Sequence, residues 1–307
     1  MAENRRIMKN ELISGRLSND NPQHESQGFK RKISNFDGNT CWLNSTLQLI
    51  LCGMDFFPYY QMHSSLGKEL QSAQTLSLID PTFTKFLLQS AVEDSSGQIQ
   101  DIMTGQQCTR DALIILYEHR NLWPDVFRLL HHTTSQTTTC LSCGHSSFWD
   151  KEKLYTEHFC PLQDGNLNTY LEFHSNQGET IEDLTCYRCK ATGLNKQQLQ
   201  IKTEESSLFF LVLLSRVETN YSSKINATDD LTLLDSNGHP RIYSPLGIIH
   251  HRGGISDRNY SSRHYMCDIR SKKDMKWYYT SDSSPAKQLR LEEVTKAGVV
   301  ILYMRKS

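Results

Sequence analysis

From Cys41 onward the apolar positions fall into a helical rhythm. Leu43, Leu47, Ile50 and Leu51 stand at i, i+4, i+7 and i+8, which predicts a helix beginning near Cys41 with one buried face. A second helix is predicted from Asp111 to about Arg120, where Ala112, Ile115 and Leu116 share a side, and a third over Asp125 to His131. The second half of the chain changes period. Ser207 to Val217 is an almost unbroken apolar run that reads as a buried strand. Gly247 to His251, Tyr265 to Arg270, Lys276 to Thr280 and Val299 to Arg305 read as further strands. Turn-forming segments such as Asp235-Ser236-Asn237-Gly238 and Arg252-Gly253-Gly254 separate them. Helices first and strands later predict an α+β protein rather than a repeating βαβ sheet. Residues 1–29 hold few large apolar side chains and read as a flexible tail, and no internal repeat or heptad run follows.

Composition narrows the class. Of 307 residues, 37% are apolar and 22% charged, enough to build a core. Lys and Arg number 33 against 34 Asp and Glu, a net charge of -1, so the chain has no overall basic footprint for nucleic acid. Its longest purely apolar run, Leu208 to Leu214, is far short of the ~20 residues that span a bilayer. The charged stretch from Glu3 to Lys9 lacks the apolar core of a secretory signal. These features predict an intracellular protein, cytoplasmic, nuclear or both, that engages neither nucleic acid nor membrane. The basic pairs Arg5-Arg6 and Arg31-Lys32 are too few to make a nuclear signal. In a reducing compartment nine cysteines serve as metal ligands or catalytic thiols rather than as a disulfide framework. The glycosylation-type sequons at Asn44, Asn220, Asn226 and Asn259 carry no weight without a secretory route.

Two cysteine pairs carry a metal signature. Cys140-Leu-Ser-Cys143 and Cys186-Tyr-Arg-Cys189 each fit a tight turn that aims two thiolates at one ion. Two such turns complete a tetrahedral four-sulfur shell, which suits one structural zinc and leaves no open coordination position. Gly144 follows the first pair, as a knuckle with an unusual backbone conformation requires. His145 and Cys160 lie near that pair, but a complete set leaves them nothing to ligate.

Cys41 is a candidate nucleophile. The segment Phe36-Asp-Gly-Asn-Thr-Cys-Trp-Leu-Asn-Ser45 puts it after a loop, at the first turn of the predicted helix. Amides at a helix N-terminus favour thiolate over thiol, which predicts a lowered pKa, and the same amides suit a developing oxyanion. Taken alone, a cysteine beside Trp and Leu also fits a buried small hydrophobe. A thiolate needs a base, and spacing alone selects none of the twelve histidines. His264 stands out because Arg263-His-Tyr-Met-Cys267 opens a predicted strand after a glycine-containing loop.

The run G-N-T-C-W-L-N-S-T-L-Q from Gly38 to Gln48 resembles the cysteine box of the ubiquitin-specific proteases. The segment from His250 to Arg270 is similar to their histidine box, and A-G-V-V-I-L-Y-M-R to their closing strand. Gln106 to Ala112 resembles their glutamine-aspartate-alanine segment, and Leu208 to Val217 the strand that follows their zinc-binding fingers. The resemblance runs from about residue 33 to 306. It implies a papain-like cysteine protease fold with a helical thumb (about 30–134), zinc-binding fingers (about 135–206 and adjoining strands) and a β-rich palm (about 207–307). It also implies a monomeric deubiquitinase whose partners are ubiquitin and ubiquitinated proteins. Cys41 would be the nucleophile and His264 the base. The family's third catalytic position falls on Ser281, with Asp282 beside it. A carboxylate orients imidazole and stabilises its cation, whereas a hydroxyl does only the first, so chemistry favours Asp282. If the strand continued through both, their side chains would face opposite ways and only one would reach His264 without a bend. Ser283-Ser284-Pro285 follows at once, which predicts that the strand ends here and that a turn could swing Asp282 inward.

Three positions depart from the family pattern. Phe36 stands where an Asn usually donates into the oxyanion hole, leaving Asn39 and Asn35 as nearby amides that would assist the Cys41 N–H. Arg263 replaces a small Gly before the histidine, and Ser281 replaces an Asp or Asn. These departures motivate two alternatives: a ubiquitin-binding module with impaired catalysis, and a protease for another ubiquitin-like modifier.

Overall fold

The computed structural model describes residues 32–33, 40–56, 63–73, 78–79, 108–118, 120–153, 155–159, 166–204, 207–215, 225–252, 264–282, 284–296 and 298–306. Five α-helices lie among them: α1 (Cys41–Asp55), α2 (Ser65–Ala73), α3 (Thr109–Glu118), α4 (Pro124–Leu130) and α5 (Leu167–Glu172). The strands are β1 (Lys32–Ile33), β2 (Leu78–Ile79), β3 (His132–Cys140), β4 (Ser146–Lys153), β5 (Tyr155–Phe159), β6 (Glu179–Ile181) and β7 (Asn195–Thr203). They continue with β8 (Phe209–Ser215), β9 (Leu231–Asp235), β10 (Pro240–Arg252), β11 (His264–Arg270), β12 (Trp277–Thr280), β13 (Lys287–Leu289) and β14 (Gly298–Arg305). The expected tail lies outside the described residues.

Helix α1 departs from its sequence pattern. Periodicity predicts one buried face, yet every residue from Cys41 to Asp55 is buried. The reason is its position: α1 runs between the sheet on one side and α3 on the other, so its polar residues Asn44, Ser45, Thr46 and Gln48 are enclosed too. Two glycines let it lie flush on the sheet. A Cβ on Gly53 would meet Phe209 and Leu302 at 3.2 Å, and one on Gly247 would run into the Leu49 side chain.

A twelve-stranded sheet carries everything else, in the order β13-β12-β11-β10-β9-β7-β3-β4, with β14 bridging β10 to β8. Strand β8 explains the unbroken apolar run. Phe209, Leu211 and Leu213 face the helices, while Phe210, Val212 and Leu214 face a second core with Tyr243, Ile248 and Ile301. A strand buried on both sides has no polar alternation to show. Each such side chain contributes roughly 1.5–3 kcal/mol when taken from water. Strands β3, β4, β6 and β7 form an outlying finger that the sequence reading did not resolve into strands. It meets the palm through a short parallel contact, Lys202 opposite Leu234 and Thr203 opposite Asp235.

Candidate active site

Cys41 is the first residue of α1, preceded by Thr40, with no side-chain cap and no acidic residue in the first turn. The helix amides there are aimed at the sulfur. The backbone N–H groups of Tyr265, Trp42 and Cys41 itself all favour its thiolate. They do not win. The thiol is 1% exposed, and burial pushes its pKa above the ordinary value, with the negative charge of Asp282 adding to the rise. This corrects the expectation of a lowered pKa: a desolvated sulfur loses more hydration than three amide dipoles return.

The bond from Tyr265 places Cys41 beside β11, whose first residue is His264. Antiparallel pairing of β11 with β12, Cys267 opposite Thr280, brings the end of β12 back to the start of β11. Ser281 and Asp282 therefore arrive next to His264. Imidazole Nε2 lies 2.7 Å from Ser281 Oγ and 3.6 Å from Asp282 Oδ2. The first is a hydrogen bond; the second is an ion-pair distance without one.

The limit of one side chain facing His264 applies only to a strand that continues, and the strand ends at Thr280. Asp282 has φ +40, a left-handed conformation, and Ser284 N–H bonds back to the Ser281 carbonyl at 2.8 Å. The strand ends and the chain turns, so both side chains come to the same ring. Asn39, Asn35, Phe36 and Arg263 lie outside the described residues.

One residue escaped the sequence reading. Asn44 Nδ2 donates to Asp282 Oδ1 at 3.1 Å. A signal was present: a carboxamide three residues after Cys41, inside an apolar helical run, must find a partner once buried.

The metal candidates converge as expected. The sulfurs of Cys140, Cys143, Cys186 and Cys189 all lie within 4.8 Å of one another. Cys140 and Cys189 are 3.6 Å apart, Cys143 and Cys186 3.8 Å. A regular tetrahedron with metal–sulfur bonds of about 2.3 Å has edges of about 3.8 Å, so the four residues fit such an ion. Both knuckles share one hydrogen-bond pattern. Cys140 N–H donates to the His145 carbonyl and Gly144 N–H to the Cys140 carbonyl, each at 2.8 Å. Cys186 N–H donates to Ala191 and Lys190 N–H to Cys186, at 2.8 and 2.9 Å. Gly144 has φ 68 and Lys190 φ 62 at the equivalent position. The N–H groups of Cys189 and Arg188 lower the pKa of the Cys186 thiol, whereas at Cys143 the His145 N–H is outweighed by burial and the neighbouring sulfurs, which raise it.

A buried thiol at a helix N-terminus, bonded by the backbone of Tyr265 next to a histidine that opens an interior strand of a mixed sheet, is the arrangement of a papain-like cysteine hydrolase, here with a four-cysteine finger. The model for ubiquitin carboxyl-terminal hydrolases matches residues 32–303. The chain belongs to that family, the cysteine-type deubiquitinating hydrolases. No curated protein matches it in sequence. Its fold is similar to that of the yeast SAGA deubiquitinating module with a mutant Sgf73. The TM-score is 0.67 at 15% identity, covering 99% of this chain and 75% of the other. It is also similar to the Ubp8/Sgf11/Sus1/Sgf73 module bound to monoubiquitin (TM-score 0.62, 16% identity) and bound to ubiquitin aldehyde (0.62, 14%). The coverage is again 99% of this chain and 75% of the other in each. Among the described residues no helix is long and apolar enough to cross a membrane.

Proposed function

We propose that Cys41 is the nucleophile of this deubiquitinase, His264 its base, and Ser281 with Asp282 the pair that holds and charges His264. The observation that carries the reading is His264 meeting Ser281 at 2.7 Å and Asp282 at 3.6 Å, beside the helix that begins at Cys41. With a proton on Nε2 the ring donates to Ser281, and Nδ1 is left to take the Cys41 proton. The sulfur attacks the carbonyl of ubiquitin's C-terminal glycine. His264 returns the proton to the departing lysine amine, and a thioester remains. Water, deprotonated by His264, then releases ubiquitin and restores the thiol. The Cys41 N–H, assisted by Asn39 or Asn35, serves the oxyanion.

The thumb (about 30–134), fingers (about 135–206) and palm (about 207–307) would hold ubiquitin as a monomeric enzyme inside the cell. That related modules were solved with ubiquitin bound supports this partner. Zinc, held by Cys140, Cys143, Cys186 and Cys189, would fix the fingers and take no part in the chemistry.

A test is turnover of a ubiquitin–fluorophore conjugate. Cys41→Ala should abolish it while ubiquitin affinity persists, because only the sulfur is lost. Turnover above a few per cent of wild type would refute the assignment. A second reading, a ubiquitin-gripping hand with feeble catalysis, draws on the raised thiol pKa and the serine against His264. It predicts ubiquitin binding without adduct when ubiquitin carries a C-terminal electrophile. An adduct formed only with another modifier would redirect the substrate instead.

A further inference from the structure

We propose that Asn44 is a positioning residue: its carboxamide fixes the Asp282 carboxylate and so sets Asp282 against His264. The proposal rests on the reading that Asp282 serves His264. Asn44 stands one turn after Cys41 on α1, on the same face of that helix, and is 2% exposed. Its Nδ2 donates to Asp282 Oδ1 at 3.1 Å, across 238 residues of sequence. The other oxygen, Oδ2, is the one that faces His264 Nε2 at 3.6 Å.

A carboxylate is planar and rigid. Once Oδ1 is tied to Asn44, rotation about the Cβ–Cγ bond no longer carries Oδ2 away from the ring. The backbone is tied as well, since Ile33 N–H donates to the Asp282 carbonyl at 3.3 Å. These ties hold Asp282 at φ +40, a left-handed conformation that is costly for most L-residues and less so for aspartate. Asn44, Gln48, Ile33, Ser281 and Asp282 line one small recess, and Asn44 is itself buried there. Because Asn44 and Cys41 ride on one helix, this bond also registers the nucleophile's helix against the turn that serves the base. A purely structural bond would stabilise the same interface without acting through Asp282, and the two roles separate experimentally.

The experiment is a double-mutant cycle. Rates are measured for wild type, Asn44→Ala, Asp282→Ala and the double variant, using ubiquitin–fluorophore turnover and capture by ubiquitin bearing a C-terminal vinyl sulfone. Asn44→Ala is expected to lower kcat and the capture rate about tenfold with KM changed less than twofold, and to add less than twofold once Asp282 is Ala. Equal losses in both backgrounds, or wild-type rates in Asn44→Ala, would overturn the proposal while leaving Asp282 in its role. A neutral Asp282→Ala would overturn both, and it is recognised in a chain whose Asn44 is intact.

Asn44→Asp covers the case in which Asn44→Ala fails to fold, since it keeps the shape and sets two carboxyl groups against each other. One of them then binds a proton more readily, and the shared proton restores a donor. Its rate deficit should be largest above neutral pH and narrow towards acid; a deficit independent of pH would count against Asn44 acting through Asp282.

Discussion

At His264 two chemically different groups meet one imidazole. Ser281 holds the ring by a hydrogen bond of 2.7 Å, and Asp282 offers charge at 3.6 Å. A hydroxyl orients but does not stabilise the cation that forms when His264 takes a proton; a carboxylate does both. Asp282→Ala should therefore cost on the order of 10²-fold in ubiquitin–fluorophore turnover, and Ser281→Ala much less. The reverse ranking in the same assay would transfer the leading role to Ser281, and two unaffected variants would mean that neither group serves His264. The sequence made Cys41, His264, Ser281 and Asp282 legible because short motifs carry their chemistry. It announced the turn after Asp282 through Ser283-Ser284-Pro285, but not the positive φ of that aspartate, which depends on what the turn packs against. Nor did it foretell the raised Cys41 thiol, because helix position is local whereas desolvation depends on β11 closing over the sulfur.

Among the elements, the two knuckles are the best example of pattern becoming geometry. Cys-x-x-Cys dictates a turn with two sulfurs on one side, and the shared hydrogen bonds reproduce it with Gly144 in one knuckle and Lys190 in the other. Purified protein should contain one zinc per chain by elemental analysis. Because metal binding supplies folding energy directly, Cys186→Ser or chelation should lower the melting temperature. Metal-free protein that melts at the wild-type temperature would exclude a structural ion. The finger strands themselves were far less legible. β4 and β7 are polar ribbons, Ser-Ser-Phe-Trp-Asp-Lys-Glu-Lys and Asn-Lys-Gln-Gln-Leu-Gln-Ile-Lys-Thr, and it is pairing, chiefly with β3, that makes them strands. Helix α1 misled in the opposite sense: its periodicity was real, but a helix enclosed on every side buries its polar face too.

For the whole molecule, buried thiols tie stability to pH. Cys41, Cys108 and Cys267 are all raised, chiefly by burial, Cys108 to about 11. An unfolded thiol loses its proton near ~8.5, while these folded ones keep theirs to higher pH. Between those values the unfolded state binds fewer protons, so stability is full below the unfolded pKa and declines as pH rises through the alkaline range. The urea midpoint should fall between pH 8 and 10.5, and fall less steeply in Cys108→Ser. A midpoint that stays level over that range would show that these thiols ionise as freely in the folded chain as in the unfolded one.

The parallel contact between β7 and β9 has a mechanical meaning. Among the described residues two ladder pairs, Lys202 with Leu234 and Thr203 with Asp235, join β7 to β9, backed by Ser236 N–H to the Thr203 carbonyl at 3.2 Å, Thr203 Oγ1 to the Leu234 carbonyl at 3.4 Å and the Asn168 side chain bonded to Asp230 and Thr232. A seam that short transmits little cooperativity, so the molecule should open in two stages rather than one. After chelation, amide hydrogen exchange should speed up across β3, β4 and β7 while β8, β10 and β14 keep their protection. Uniform loss across both groups would mean that the weld is stronger than its two rungs. If the proposed grip on ubiquitin includes the finger strands, that grip tilts about this seam while the strands that carry His264 stay still.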